Sequence, residues 1–211
     1  MSTDTTTREL PARLRKATWD EYVKLRDDDE YRHTRMTYDR GDLELMSPSK
    51  LHERVGYLIG RAVDVFTMKR KIAIQSCRTT TFRREDLLRG LEPDNCYYVQ
   101  NESVVRSRDE VDLTIDPPPD LAIEVDVTRR VINRPAIYAA LRVPELWRWH
   151  DDRLQILVLR RSGEYAKASK SLALPGFPID RLVEMIDQRT LFDETTLLRK
   201  FEVWCRVPKK S

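Results

Sequence analysis

One segment restricts the fold of this 211-residue chain more than any other: residues 117–127, PPPDLAIEVDV. Successive side chains of a β-strand point to opposite faces. Leu121, Ile123 and Val125 therefore share one face, and Glu124 lies in the middle of the other. A buried carboxylate needs a partner, because an isolated charge in an apolar environment is strongly destabilising. The segment predicts a strand whose glutamate is paired.

Helical and strand-like patterns alternate along the rest of the chain. Two predicted helices begin at Thr18 and near Asn133. Three more span residues 50–70, 179–187 and 193–206. The predicted strands span 71–82 and 96–99 and form hairpins over 35–46 and 146–159. Residues 99–117 lack strong periodicity and predict a hairpin or loop. This alternation predicts an α/β or α+β domain with helices around a mixed sheet.

The length argues for one domain, since domains average roughly 150 residues. Residues 1–16 have no hydrophobic periodicity and predict a flexible N-terminal arm. A single domain over residues 17–207 is expected to follow.

Several classes of chemistry are excluded by what the sequence lacks. The six glycines are dispersed, which excludes a Walker phosphate loop and a dinucleotide fingerprint. No G-x-S-x-G motif is present, and three histidines with three scattered cysteines show no zinc-ligand spacing. If the chain is an enzyme, these absences favour catalysis by carboxylates with a hard cation.

No apolar run approaches the roughly 20 residues that a membrane span requires, so no membrane association is expected. The N-terminus lacks the hydrophobic stretch of a signal peptide. The cysteines are therefore interpreted as reduced thiols, and a cytoplasmic location is predicted.

The net charge of +3, from 38 basic and 35 acidic residues, does not by itself indicate a nucleic-acid-binding protein. The distribution is more informative, because arginines concentrate in segments 71–90 and 129–161. Arginine suits bidentate contact with phosphate, so these segments are candidates for binding DNA. A solvated, arginine-rich surface is the alternative.

Two carboxylates stand out by their position. Asp94 lies in GLEPDNCYYV directly before a predicted strand, and Glu124 lies within PPPDLAIEVDV. Acids at adjacent strand ends can hold one Mg²⁺ and leave open positions for water and phosphate oxygens. Alternatively, Asp94 caps a turn and Glu124 forms a salt bridge.

The blocks GLEPDNCYYVQN, PPPDLAIEVDVT and NRPAIYAALRVPELWRWH resemble, in their order, the Uma-two family of restriction-endonuclease-like proteins. This family belongs to the PD-(D/E)xK nuclease superfamily, and the resemblance covers about residues 18–205. It implies a restriction-endonuclease-like mixed β-sheet flanked by helices. It also implies an endonuclease that uses Mg²⁺ or Mn²⁺ to hydrolyse DNA, with Asp94 and Glu124 as metal-binding acids.

The chain departs from the superfamily pattern at one position. A lysine usually follows the second acid by two residues, and here that position is Asp126. In the family the basic residue is often displaced into the next helix, where Arg134 matches it. An arginine cannot act as a general base, but it can contact the scissile phosphate and offset charge in the transition state.

Nucleases of this superfamily often supply a further acid from the first core helix, which makes His52 and Glu53 candidates. Helical geometry places His52 on the flank of the apolar face and directs Glu53 away from it. Which of the two reaches a metal is left open, and a structural His52 with a backbone partner is the alternative.

Fold does not determine function, so a second hypothesis is retained. A catalytically degenerate nuclease fold would act as a nucleic-acid-binding or protein-interaction module. Binding of a divalent metal would distinguish the two. The sequence is compatible with a homodimer but does not fix the oligomeric state.

Overall fold

The computed structural model describes residues 12–127 and 130–205, and these form an α+β structure with two sheets. The first sheet is antiparallel, and its strand order is β1 (Ala12–Lys16), β3 (Asp42–Met46), β2 (Arg35–Asp39), β6 (Arg89–Leu91) and β5 (Phe82–Arg84). The hairpin predicted over 35–46 is confirmed as β2 and β3.

The second sheet is mixed, as predicted. Its strand order is β11 (Tyr165–Ala168), β10 (Arg153–Leu159), β9 (Glu145–His150), β8 (Leu121–Asp126), β7 (Asn95–Tyr98) and β4 (Gln75–Ser76). Strands β8 and β9 are parallel, and the other pairs are antiparallel.

The described residues form six α-helices. They are α1 (Trp19–Arg26), α2 (Lys50–Arg70), α3 (Glu102–Val105), α4 (Arg134–Ala140), α5 (Ile179–Asp187) and α6 (Glu194–Glu202). Helices cover both faces of the mixed sheet, whereas α1 packs against the first sheet through Tyr22. One core cluster joins α2, α5 and α6 to the β8 face that contains Ile123 and Val125. A second cluster joins α4 to the opposite face, which contains Ala122. Strand β8 is therefore buried on both sides, and Glu124 points toward α4.

Helix α2 follows directly from its sequence. The side chain of Ser49 caps the helix by accepting a hydrogen bond from the His52 N–H at 3.2 Å. Apolar side chains such as Val55, Ile59 and Phe66 then recur at helical spacing and pack on the mixed sheet. The helix ends at Lys71, which has a left-handed backbone with φ of 55°.

Three sequence predictions need correction. Within 99–117, predicted as a hairpin or loop, residues 102–105 form the short helix α3. The strand predicted over 71–82 is broken into β4 and the start of β5, with Arg78 in the left-handed region at φ 45° between them. Residues 12–16 of the predicted N-terminal arm form β1, which pairs with β3. Residues 1–11 lie outside the described residues, and the single domain over 17–207 stays a prediction.

Among the described residues, no helix is both long enough and apolar enough to cross a membrane. Cys77, Cys96 and Cys205 are free thiols. The cytoplasmic location and the homodimer stay predictions.

Candidate active site

Glu124 is paired, as its position in an apolar strand requires. Its Oε1 atom accepts a hydrogen bond from Nη2 of Arg134 at 2.6 Å and another from the Tyr138 hydroxyl. Its Oε2 atom is buried and has no hydrogen-bond partner. Burial raises the pKa of Glu124, and the positive charge of Arg134 counters only part of this effect.

Arg134 is buried at the start of α4 and joins three parts of the chain. Its Nη1 atom donates to the hydroxyl of Thr37 on β2, and Nη2 donates to the carbonyl of Glu92 at 2.6 Å as well as to Glu124. Its Nε atom has no hydrogen-bond partner. The phosphate contact implied for this arginine stays a prediction, because most of its guanidinium already contacts the protein.

Asp94 lies just before β7 and contacts both β8 and α2. Its Oδ2 atom accepts a hydrogen bond from the Val125 N–H at 2.7 Å and lies 3.1 Å from Nε2 of His52. Its Oδ1 atom is buried without a partner. Burial alone would raise the pKa of Asp94, but His52 lowers it to about 2. Burial likewise opposes protonation of His52, yet Asp94 raises the pKa of His52 above its usual value.

The sequence left open whether His52 or Glu53 reaches the acids. The structure brings the buried His52 into contact with Asp94, so its partner is a carboxylate and not a backbone group. The Glu53 side chain is 58% exposed, and its Oε1 atom lies 3.6 Å from Nδ1 of His52 and 3.9 Å from Nη2 of Arg35. Glu53 therefore lies at the rim of the site, behind His52.

The His52–Asp94 pair predicts how stability depends on pH in the metal-free protein. Because the folded pKa of Asp94 is lowered from 3.8 to about 2, its contribution is complete above about pH 4 and is lost as the pH falls toward 2. Because the folded pKa of His52 is raised above 6.5, its contribution is present below that pH and is lost as the pH rises through the folded value. Urea unfolding between pH 5 and pH 9 is expected to show a decline in wild type that His52→Gln lacks.

The exposed His33 provides the control for this experiment. His33→Gln is expected to keep the wild-type decline in stability. If His52→Gln and wild type show the same pH profile, the pairing of His52 with Asp94 does not contribute to stability.

The two acids fit a hard divalent cation in one respect. Oδ1 of Asp94 and Oε2 of Glu124 are buried carboxylate oxygens without a protein partner, and Mg²⁺ is commonly held by one or two carboxylates together with water. Over residues 12–127 and 130–205, no group of three or more His, Cys, Asp or Glu side chains is placed to hold a metal.

A family model described as "Uma2: Putative restriction endonuclease" matches residues 19–184. The chain belongs to the Uma2 family. The resemblance seen in the sequence is therefore confirmed, and with it the nuclease class. No curated protein matches the chain.

Among solved structures, the Uma2-family chain is similar to a protein from Anabaena variabilis ATCC 29413 described as "a putative nuclease belonging to DUF820". The sequence identity is 14% and the TM-score is 0.48. The match covers 90% of this chain and 99% of the other.

Sequence reasoning missed three residues of this Uma2-family site. Tyr138 donates a hydrogen bond to Glu124, and Thr37 and the carbonyl of Glu92 accept hydrogen bonds from Arg134. Tyr138 had a usable signal, since it follows Arg134 by four residues on one helix and so shares its face. Thr37 had no such signal, because it lies 97 positions from Arg134 and meets it only through the packing of the two sheets.

Many arginines that were candidates for DNA contact are engaged within the protein. The ion pairs in 129–161 are Arg130 with Glu44 and Asp126, Arg134 with Glu124, and Arg148 with Asp126. Those in 71–90 are Arg83 with Asp27, Arg84 with Asp86, and Arg89 with Asp39. The arginine-rich composition is therefore partly structural, and Arg129 lies outside the described residues. The exposed arginines of these segments are Arg78, Arg83, Arg142, Arg153, Arg160 and Arg161.

Proposed function

We propose that this Uma2-family chain is an endonuclease that hydrolyses DNA phosphodiester bonds with Mg²⁺ or Mn²⁺ as cofactor. One observation supports this most directly: Asp94 and Glu124 each use one carboxylate oxygen within the protein and leave the other buried without a partner. Native proteins seldom leave a buried polar atom without a protein, water or ion partner.

Oδ1 of Asp94 and Oε2 of Glu124 would hold the cation. A divalent ion bound there supplies a Lewis acid for the phosphate oxygen and lowers the pKa of a bound water. His52 keeps Asp94 ionised, and its contact with Oδ2 leaves Oδ1 available. Tyr138 and Arg134 orient Glu124 through Oε1 in the same manner.

Two further residues complete the proposed site. Arg134 acts first as the countercharge of Glu124, and its unpartnered Nε is the group left for charge that develops on the phosphate. Glu53, at the rim, lies 3.6 Å from Nδ1 of His52, and its negative charge favours the protonated form of His52.

Cleavage of supercoiled plasmid tests this proposal. With Mn²⁺ we expect wild type to nick the plasmid, and Asp94→Ala to be slower by about 10²-fold or more, because a metal contributes several kcal/mol to the transition state. Asp187→Ala, an exposed aspartate at the end of α5, is the matched control and is expected to match wild type. Equal rates for wild type and Asp94→Ala would reject the site.

One observation favours the second hypothesis, a nuclease fold that only binds nucleic acid or protein: Arg134 already neutralises Glu124. The same variants separate the hypotheses by thermal shift. Metal at one hundred times Kd should stabilise wild type by about 2.7 kcal/mol, or roughly 5 to 10 °C in Tm. Asp94→Asn should lose most of that shift, whereas a binding module shows none in either protein.

The metal response must be compared within each variant. The carboxylate of Asp94 is stabilised by His52 in the folded protein, so Asp94→Asn is expected to lower Tm in EDTA as well. Repulsion between two uncompensated carboxylates is therefore not expected to dominate the stability of the metal-free protein.

A further inference from the structure

A cavity of about 290 Å³ opens beside the His52–Asp94 pair, between α2 and the segment that follows β4. Gly56 of α2 forms part of its wall. Apart from the chain neighbours and the backbone of its own helix, a Cβ atom on Gly56 would meet one atom of the described residues within 4 Å, Cγ2 of Val125 at 3.7 Å. The missing side chain therefore leaves space directly next to the candidate metal ligands.

The cavity combines three kinds of binding group. Guanidinium groups line it at Arg35, Arg61 and Arg78. Tyr57 is 43% exposed at the same surface. Its hydroxyl accepts a hydrogen bond from Nη1 of Arg61 at 2.7 Å, and the Arg61 guanidinium lies 5.5 Å from the ring centroid. Asp64 supplies a half-buried carboxylate, whose pKa is raised by burial.

These groups match the parts of a nucleotide. Guanidinium groups bind phosphate, an exposed aromatic ring stacks on a base, and a carboxyl group accepts hydrogen bonds from base N–H groups. The volume lies near the lower end of cavities that enclose small ligands, about 300 Å³. The lining is not purely cationic, because Glu53, Asp64 and Asp94 balance the three arginines. A bare phosphate would leave the ring of Tyr57 and the carboxyl of Asp64 unused.

We propose that this cavity is a single-nucleotide subsite, so that the preferred substrate is DNA with an unpaired nucleotide at or near the cleavage position. In a continuous duplex every base is held in the stack, and extracting one costs a few kcal/mol. At an overhang or a frayed end this cost is small, and the free nucleotide can enter beside Asp94. The inference depends on the proposed function for the class of ligand.

The test is binding of fluorescent DNA hairpins in EDTA, measured by fluorescence anisotropy without cleavage. The hairpins share one duplex and end blunt, in a short 5′ overhang or in a short 3′ overhang. Wild type is expected to bind at least one overhang hairpin about tenfold more tightly than the blunt one, the magnitude of stacking one base on an aromatic side chain.

Two variants locate the effect in the cavity. Gly56→Leu fills the space next to Asp94, and Tyr57→Ala removes the exposed ring. Both variants are therefore expected to bind all three hairpins with the affinity that wild type has for the blunt hairpin. Circular dichroism checks folding of Gly56→Leu; if it does not fold, Tyr57→Ala, at a surface position, provides the test alone. Arg199→Ala, an exposed arginine on α6, is the charge control and should keep the preference.

Equal affinity of wild type for all three hairpins would overturn the inference. A preference for overhangs that persists in the folded cavity variants would also overturn it. A preference that inorganic phosphate abolishes but Tyr57→Ala leaves unchanged would indicate a site for phosphate alone, and would overturn it as well. Plasmid cleavage is scored separately. A protein that prefers overhangs but does not cut contradicts the proposed function alone, and one that cuts without the preference contradicts the subsite alone.

Discussion

Arg134→Ala is expected to lower the free energy of unfolding by about 3 to 5 kcal/mol, because it leaves Glu124 as a buried charge without its partner. For a chain of this size the corresponding loss in Tm is about 10 °C or more. The variant also loses hydrogen bonds to Thr37 and to the carbonyl of Glu92. Thermal or urea unfolding at neutral pH measures the loss, and nuclease turnover is expected to fall by roughly 10²-fold as well.

Three further variants separate the causes of the loss of stability in Arg134→Ala. Arg134→Lys keeps the charge but cannot span three acceptors with one ammonium, so intermediate stability and partial activity are expected. Adding Glu124→Gln to Arg134→Ala removes the uncompensated charge and should restore part of the stability. Arg160→Ala, an exposed arginine, should remain within about 0.5 kcal/mol of wild type. An Arg134→Ala protein as stable as wild type would mean that water or another cation compensates Glu124.

Glu145→Ala is expected to destabilise the protein by about 4 kcal/mol, although Glu145 lies outside the candidate site. This fully buried carboxylate accepts hydrogen bonds from the indole of Trp147 at 2.5 Å and from the N–H groups of Leu172 and Ala173 at 2.6 and 2.7 Å. Each buried donor left without a partner costs about 1–3 kcal/mol. The expected fall in Tm is about 10 °C.

Glu145→Gln preserves the shape of the side chain but replaces one acceptor by a donor. It is expected to lose about half as much stability as Glu145→Ala. Glu85→Ala removes an exposed glutamate and should melt as wild type does. If Glu145→Ala leaves Tm unchanged while Trp147 fluorescence shifts, the loop at 171–173 has found other acceptors, and its attachment through Glu145 is not important for stability.

The sequence predicted the elements whose signal lies within a single segment. Helix α2 was predicted over its full length because its apolar residues recur at helical spacing. Strand β8 was predicted because Leu121, Ile123 and Val125 alternate with residues of the opposite face. The pairing of Glu124 was also predicted, since a glutamate inside an apolar strand requires a partner. The class of fold followed from these elements.

What the sequence could not predict depends on contacts between distant segments. Strand β6 spans only Arg89–Leu91 and forms because β2 and β5 flank it. The interruption at Arg78 requires a left-handed backbone that arginine does not favour, so β-propensity alone extended the strand through it. The partner of His52 could not be predicted either, because the sequence of one helix carries no information about the carboxylate that packs against it.

The crossover from β8 through α4 to β9 has a consequence for folding kinetics. Glu124 meets Arg134 and Tyr138 at separations of only 10 and 14 positions, and closing such short loops costs little chain entropy. Thr37, by contrast, lies 97 positions from Arg134, so that contact requires the first sheet to dock. The contacts of Glu124 with Arg134 and Tyr138 can therefore form early. The contact of Arg134 with Thr37 forms only in the later, long-range steps that limit the folding rate of such topologies.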